Sequence, residues 1–114
     1  MSTYSYLRDL SESNDPYILS AVNNDEEYYL TALVNRKRDY FNLRLIVDGY
    51  VFLERVYKGF GLETTYVDAV VGWEYDSKNG DGFIDLGYRV IERDDGSKRY
   101  VIDPNVDGLM STTI

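Results

Sequence analysis

Asp103, Asn105 and Asp107 stand at alternate positions and Gly108 follows them. Alternate oxygen-bearing side chains closed by a glycine turn are how a loop converges ligands on a hard cation such as calcium. The run Ser77-Lys78-Asn79-Gly80-Asp81-Gly82 repeats the pattern, with serine leading and Asp76 one place earlier. Both copies lack the bidentate glutamate of such loops at the twelfth position, where Tyr88 and the chain-end Ile114 stand. Asx- and Gly-rich runs are also ordinary turns. Turns are therefore the first reading, and a weak calcium site at Asp103, Asn105 and Asp107 is the alternative to a chain without cofactors.

The carboxylates suggest a different chemistry. If the second half of the chain is a meander of reversing strands, the turn at 76–81 and the end of the last strand share one end of the sheet. Asp76, Asp81, Asp103 and Asp107 then gather there, with Asp94 and Asp95 on another turn. Such a focus of negative potential attracts a cation or an Arg- and Lys-rich partner, although solvation is the usual fate of loop acids. Glu74 and Asp76, with Asp68 further back, also match a row of duplex phosphates, since alternate strand residues lie roughly 6–7 Å apart. Arg89 and Arg99 on the same face, and Arg36-Lys37-Arg38 earlier, interrupt that row.

Twelve tyrosines are the other resource. Each buried hydroxyl needs a partner, so some of these rings belong at the surface, where tyrosine is a common interface anchor. Tyr66 and Tyr75 are the candidates beside the acids. Half-buried positions on a sheet account for at least half of the twelve, given the strand propensity of tyrosine.

These residues need elements to carry them. Ser2 or Thr3 can cap a first short helix presenting Tyr6, Leu7 and Leu10, and Asp15-Pro16 starts a second that runs to about Val22 and stops at Asn23-Asn24. Residues 25–38 read as a strand through Tyr28, Leu30, Ala32 and Val34, or as a helix capped by Asp25; the strand is preferred. Phe41, Leu43, Leu45 and Val47 alternate as a strand, and Asp48-Gly49 reads as a hairpin turn into 50–58, where a short helix ending at Gly59 also fits. The rest reads as strands 63–75, 82–93 and 97–103 with turns at 76–81 and 94–96. Val67, Ala69, Val71, Trp73 and Tyr75 then share a face with Ile84, Leu86, Tyr88, Val90, Tyr100 and Ile102. The expected fold is α+β in a single domain over 1–114: a helical segment at 1–24 packed on an antiparallel meander of about four to six strands over 25–114.

Composition narrows the function. With no His and no Cys, imidazole acid–base chemistry, thiol nucleophiles and the usual zinc sites are excluded. Carboxylate pairs such as Glu74 with Asp85 remain, but no nucleophile stands with a base, so the expectation is no enzyme. Twenty acids against twelve bases give a net charge of −8, concentrated after residue 60. That field repels nucleic acid and anionic membranes and steers a basic partner inward. The first twenty residues hold Tyr4, Arg8, Asp9 and Glu12 rather than a basic start and an apolar run. No stretch reaches membrane-spanning length, so a cytoplasmic location is expected, in the producing or host cell.

In its general character, an acidic, Cys-free small domain without a catalytic set, the chain is similar to inhibitors carried by phages and mobile elements, including anti-CRISPR and anti-restriction proteins, and to immunity proteins. That likeness is compositional. It implies a non-enzymatic protein that blocks a basic site on a partner, such as a nucleic-acid-binding one, using Asp76, Asp81, Asp94, Asp95, Asp103 and Asp107 with Tyr66 and Tyr75. A self-assembling virion protein, and hence a homo-oligomer, is a further alternative to the calcium module.

Overall fold

The structure, a computed structural model, describes residues 5–78 and 80–110. The caps expected at Ser2 and Thr3 and the chain-end ligand at Ile114 lie outside the described residues. Mixed helix and sheet is observed, with two antiparallel three-stranded sheets and three α-helices. In chain order these are β1 (Arg8–Asp9), a 3-10 turn (Leu10–Glu12), α1 (Pro16–Asn23), α2 (Glu27–Asp48), β2 (Tyr50–Phe52) and α3 (Leu53–Gly59). A second 3-10 turn (Val67–Ala69), β3 (Val71–Glu74), β4 (Arg89–Glu92), β5 (Lys98–Ile102) and β6 (Gly108–Leu109) complete the chain.

The expected N-terminal helix pair and single meander are both corrected. The run before Ser13 is not helical beyond one 3-10 turn, because Arg8 and Asp9 pair with Ile102 and Val101 of β5. The second expected helix is α1: the Asp15 carboxylate accepts from Tyr17 N and Ile18 N, and Pro16 fills the first turn. It ends in a left-handed residue, as helices often do, but that residue is Asp25, with φ +53°. The Glu26 N–H reaches Ala21 O and the Asp25 N–H reaches Val22 O, closing the last turn. The Asp25 carboxylate accepts from the buried Tyr100 hydroxyl and lies 3.8 Å from Lys98 Nζ. Burial, and then the Asp25 hydrogen bond, push the Tyr100 pKa upward. These contacts hold an acid where glycine would be less strained.

The largest correction is α2. Residues 25–38 and 40–47, preferred as strands, lie mostly in one 22-residue helix. Leu30, Val34, Phe41 and Leu45 recur at helical spacing and are buried on one side. Gly49, read as a hairpin turn, stops the helix at φ +86°, with its N–H on Leu45 O. After it β2 takes only three residues, and α3 follows, as the alternative reading of 50–59 had it.

β2 pairs with β3, and β3 with β6. Gly72 faces Phe52 so closely that a Cβ would collide with the Val51 carbonyl, which explains the glycine in this buried strand. The second sheet runs β1-β5-β4, closed by a hairpin whose tip, 94–96, is the expected turn. The expected strand 82–93 forms only at Arg89–Glu92. Residues 82–88 instead run as irregular chain that buries Ile84 and Leu86 against one core shared with Leu45, Trp73, Tyr100 and Ile102. Likewise 63–75 is a strand only from Val71.

Candidate functional site

Asn105 organises the acidic end of the molecule. Its Oδ1 accepts from Trp73 Nε1 at 2.9 Å and Asp85 N at 2.8 Å, and its Nδ2 donates to Asp81 Oδ2 at 2.9 Å and Phe83 O at 3.2 Å. One amide thereby ties the irregular loop 81–85 to the buried end of β3. Asp107 adds a second tie, since its Oδ2 accepts from Glu74 N at 3.0 Å. Its Oδ1 is buried and has no hydrogen-bond partner among the described residues, packed where a Cβ on Gly80 would fall. Burial, followed by the nearby Asp81 and Glu74, pushes the Asp107 carboxyl above its ordinary pKa.

The sequence-predicted residues therefore divide. Asp81 and Asp107 are brought together, with Glu74, expected in the phosphate-like row, as a third acid and Asp76 and Tyr75 exposed just beyond β3. Asp103 turns instead to Arg89, at 3.6 Å. Asp94 and Asp95 sit at the hairpin tip, separated from Asp103 by the whole of β5, roughly 15 Å of strand. Tyr66 is exposed at the opposite end of β3 from Tyr75. The calcium run sends Asp103, Asn105 and Asp107 to three different partners: an arginine, an indole and a backbone amide. Among the described residues no group of three His, Cys, Asp or Glu side chains is placed to hold a metal. Asp68, a candidate phosphate mimic, is fully buried, accepting from Thr65 N at 2.8 Å and lying 3.7 Å from Arg8.

Beside the acids lies a feature that the strand reading hid. Leu43, Ile46 and Val47 occupy positions i, i+3 and i+4 of α2, on the side away from Phe41 and Leu45, and are 55, 59 and 60% exposed. The loop 83–85 is fastened alongside by Asn42, whose Oδ1 accepts from Ile84 N at 2.7 Å and whose Nδ2 donates to Ile84 O at 2.9 Å. About two helical turns further on, just past the end of α2, the Tyr75 N–H donates to Gly49 O at 3.0 Å. The loops that carry the exposed rings of Phe83 and Tyr75 are thus fastened at two places along α2, beside the ridge and at its C-terminal end, with Asp76, Asp81 and Asp85 in the same loops. Of the exposed tyrosines, Tyr17, Tyr28, Tyr29 and Tyr40 lie on helices, so strand propensity does not account for them.

An apolar stripe with a line of carboxylates along one flank suits an amphipathic surface of opposite charge. Burying the exposed parts of Leu43, Ile46 and Val47 is worth about 3–4 kcal/mol to a partner, on the usual scale for side chains of this size. Among the described residues no helix is long and apolar enough to cross a membrane. No curated protein and no solved structure matches the chain. A family pattern does match, over residues 11–113, taking in all the helices and five of the six strands, and the chain belongs to that family, a family of unknown function (DUF6353).

Proposed function

We propose that this chain is a non-catalytic protein-binding domain that receives a basic, partly apolar surface of another protein and covers it, acting as an inhibitor of that surface. The observation that carries the reading is the exposed Leu43, Ile46 and Val47 ridge with two acid-bearing loops fastened along one flank and at its end. Isolated exposed apolar residues are normal on a soluble protein, but three neighbours flanked by two exposed rings form a patch of the kind that marks an interface. The net charge of −8 supplies long-range attraction for a basic partner and disfavours direct contact with nucleic acid. Tyr75 and Phe83 are the anchors, and Asp76, Asp81 and Asp85 the charges that orient the partner. Asp94 and Asp95 contribute only through the field.

Affinity capture from a nuclease-treated lysate tests this, comparing the tagged wild type with Ile46→Glu and Val47→Glu. Both side chains are mostly exposed, so the variants are expected to fold. The expected result is one basic protein retained by the wild type at low salt, released at high salt and lost from both variants. Equal recovery by wild type and variants would overturn the assignment of this face.

A further inference from the structure

On the other flank of the apolar ridge, α2 and α3 enclose an open cleft of about 450 Å³ lined by Arg36, Lys37, Tyr40, Phe41, Arg55 and Gly59. The cleft exists because of Gly59. A Cβ there would lie 2.6 Å from Phe41 Cζ, so glycine lets α3 settle onto the Phe41 ring. That approach sets Arg55, one turn earlier on α3, beside Tyr40: Nη2 donates to the Tyr40 hydroxyl at 3.1 Å, and the guanidinium carbon is 5.9 Å from the ring centroid. Asp48, 3.6 Å from Nη1, holds the other end of the fork. The Lys37 ammonium lies 4.0 Å from the Asp15 carboxylate and over the Phe60 ring, 5.6 Å from its centroid.

Three cations thus meet two aromatic rings in a cleft with no acid in its lining, although acids outnumber bases twenty to twelve in the chain. Arg36 is exposed and, among the described residues, has no hydrogen-bond or ion-pair partner. Arg8, Lys37, Arg38, Arg44, Arg55, Lys58, Arg89, Lys98 and Arg99 all have one. The volume lies within the range of small-molecule sites, which combine apolar walls with a few placed polar groups.

We propose that this cleft binds a small anion with a flat apolar body: a carboxylate or phosphate held by Arg36 and Arg55, with its ring against Tyr40 and Phe41. Arginine's fork matches such oxygens in pairs and its face stacks on rings. A polyanion is disfavoured by the net charge, whereas an anion of one or two charges is not. The same chemistry occurs in a free aromatic acid or phosphate and at the C-terminus of a peptide ending in an aromatic residue. The site is independent of the protein-binding face.

Titration of the 15N-labelled chain, followed by NMR at the amides of residues 36–41 and 55–59, tests it. The probes are phenyl phosphate, a tetrapeptide ending in Phe as the free acid, the same tetrapeptide amidated, benzyl alcohol and inorganic phosphate. Saturable shifts confined to these amides are expected with phenyl phosphate or the free-acid peptide, the tighter of the two naming the source. Weaker binding is expected for the amide, the alcohol and phosphate alone. Arg36→Ala, which breaks no hydrogen bond or ion pair among the described residues, is expected to weaken binding about tenfold, as loss of a charge-assisted pair does. Absence of saturable shifts with both anionic aromatic probes, an unchanged affinity in Arg36→Ala, or equal affinity for inorganic phosphate would overturn the proposal.

Discussion

Two acidic loops of this chain look alike as sequence and are built differently. At the β4–β5 tip, Asp94 and Asp95 are exposed, and Asp95 is occupied only locally, by the Ser97 hydroxyl at 2.6 Å and the Ser97 N–H at 2.9 Å. At the other loop pair, Asp81 and Asp107 are drawn into a network through Asn105, Trp73 and Glu74, residues 24 to 33 positions apart in the pairs they form. The tip acids shape a turn that closes one hairpin. The network acids fix an irregular segment against the end of β3 and beside α2, and so place Phe83 and Tyr75 along the exposed ridge. Density of acidic residues alone therefore does not identify a functional surface; what matters is whether the acids are tied to the elements that present apolar groups.

Asn105→Ala breaks the comparison most severely. It deletes four side-chain hydrogen bonds and leaves Asp85 N and Asp81 without this partner, while the Trp73 indole keeps the Asn105 carbonyl at 3.1 Å. A loss of about 2–4 kcal/mol is expected from a coupled set of this size. The denaturation midpoint should fall by the corresponding amount at unchanged slope. Asp94→Ala should leave the midpoint in place. Similar midpoints for the two variants would mean that Asn105 does not organise the loop.

The local devices were legible from sequence and the long-range ones were not. Asp15-Pro16 and the 94–96 turn depend on a few consecutive residues, and both are found where the sequence places them. α2 was hidden by its own exposed ridge. With Leu43, Ile46 and Val47 on one side and Leu30, Val34, Phe41 and Leu45 on the other, apolar residues fall on opposing faces. The helical period is then blurred, and Phe41, Leu43, Leu45 and Val47 are left alternating like a strand. A two-sided apolar segment of this length, between Asp25 and Gly49, was itself the available signal for an interface helix. Asp81 and Asp107 were expected to meet through a meander, but they meet through Asn105, which links the chain on either side of a different sheet. No short-range pattern encodes that amide, and Asp103, two residues away, is claimed by Arg89.

Charge reversal separates the two loops kinetically. Once the partner is in hand, Asp76→Lys, beside Tyr75 on the ridge, is expected to slow association about three- to tenfold at low salt, as reversal of an interface charge does. Asp94→Lys should slow it less than about twofold, by weakening only the long-range field. Asp76 is exposed and its side chain makes no hydrogen bond among the described residues that the substitution would break, so stability is expected to hold and surface plasmon resonance reads the rate directly. If the tip variant slows association more than the Asp76 variant, the binding face lies at the hairpin instead.

The smallest expected effect distinguishes the loops by sign. The Ser97 hydroxyl and then its N–H hold the Asp95 carboxyl below the ordinary value of 3.8, whereas burial, and then Asp81 and Glu74, raise that of Asp107 above it. For Asp95 the folded state prefers the ionised form. Its contribution to stability is therefore present above 3.8 and is lost as pH falls through the lower folded value. For Asp107 the folded state prefers the proton, so its contribution is complete below 3.8 and is lost as pH rises through the higher folded value. Asparagine keeps an acceptor at either position and removes the titration. Asp107→Asn should therefore gain on the wild type as pH rises from about 3 towards neutrality. Asp95→Asn should lose ground over the same span. Unfolding curves for the three proteins across that range decide the matter: parallel trends for the two variants would mean that the Asp107 carboxyl is as well solvated as the hairpin tip, and that loop 81–85 does not close over it.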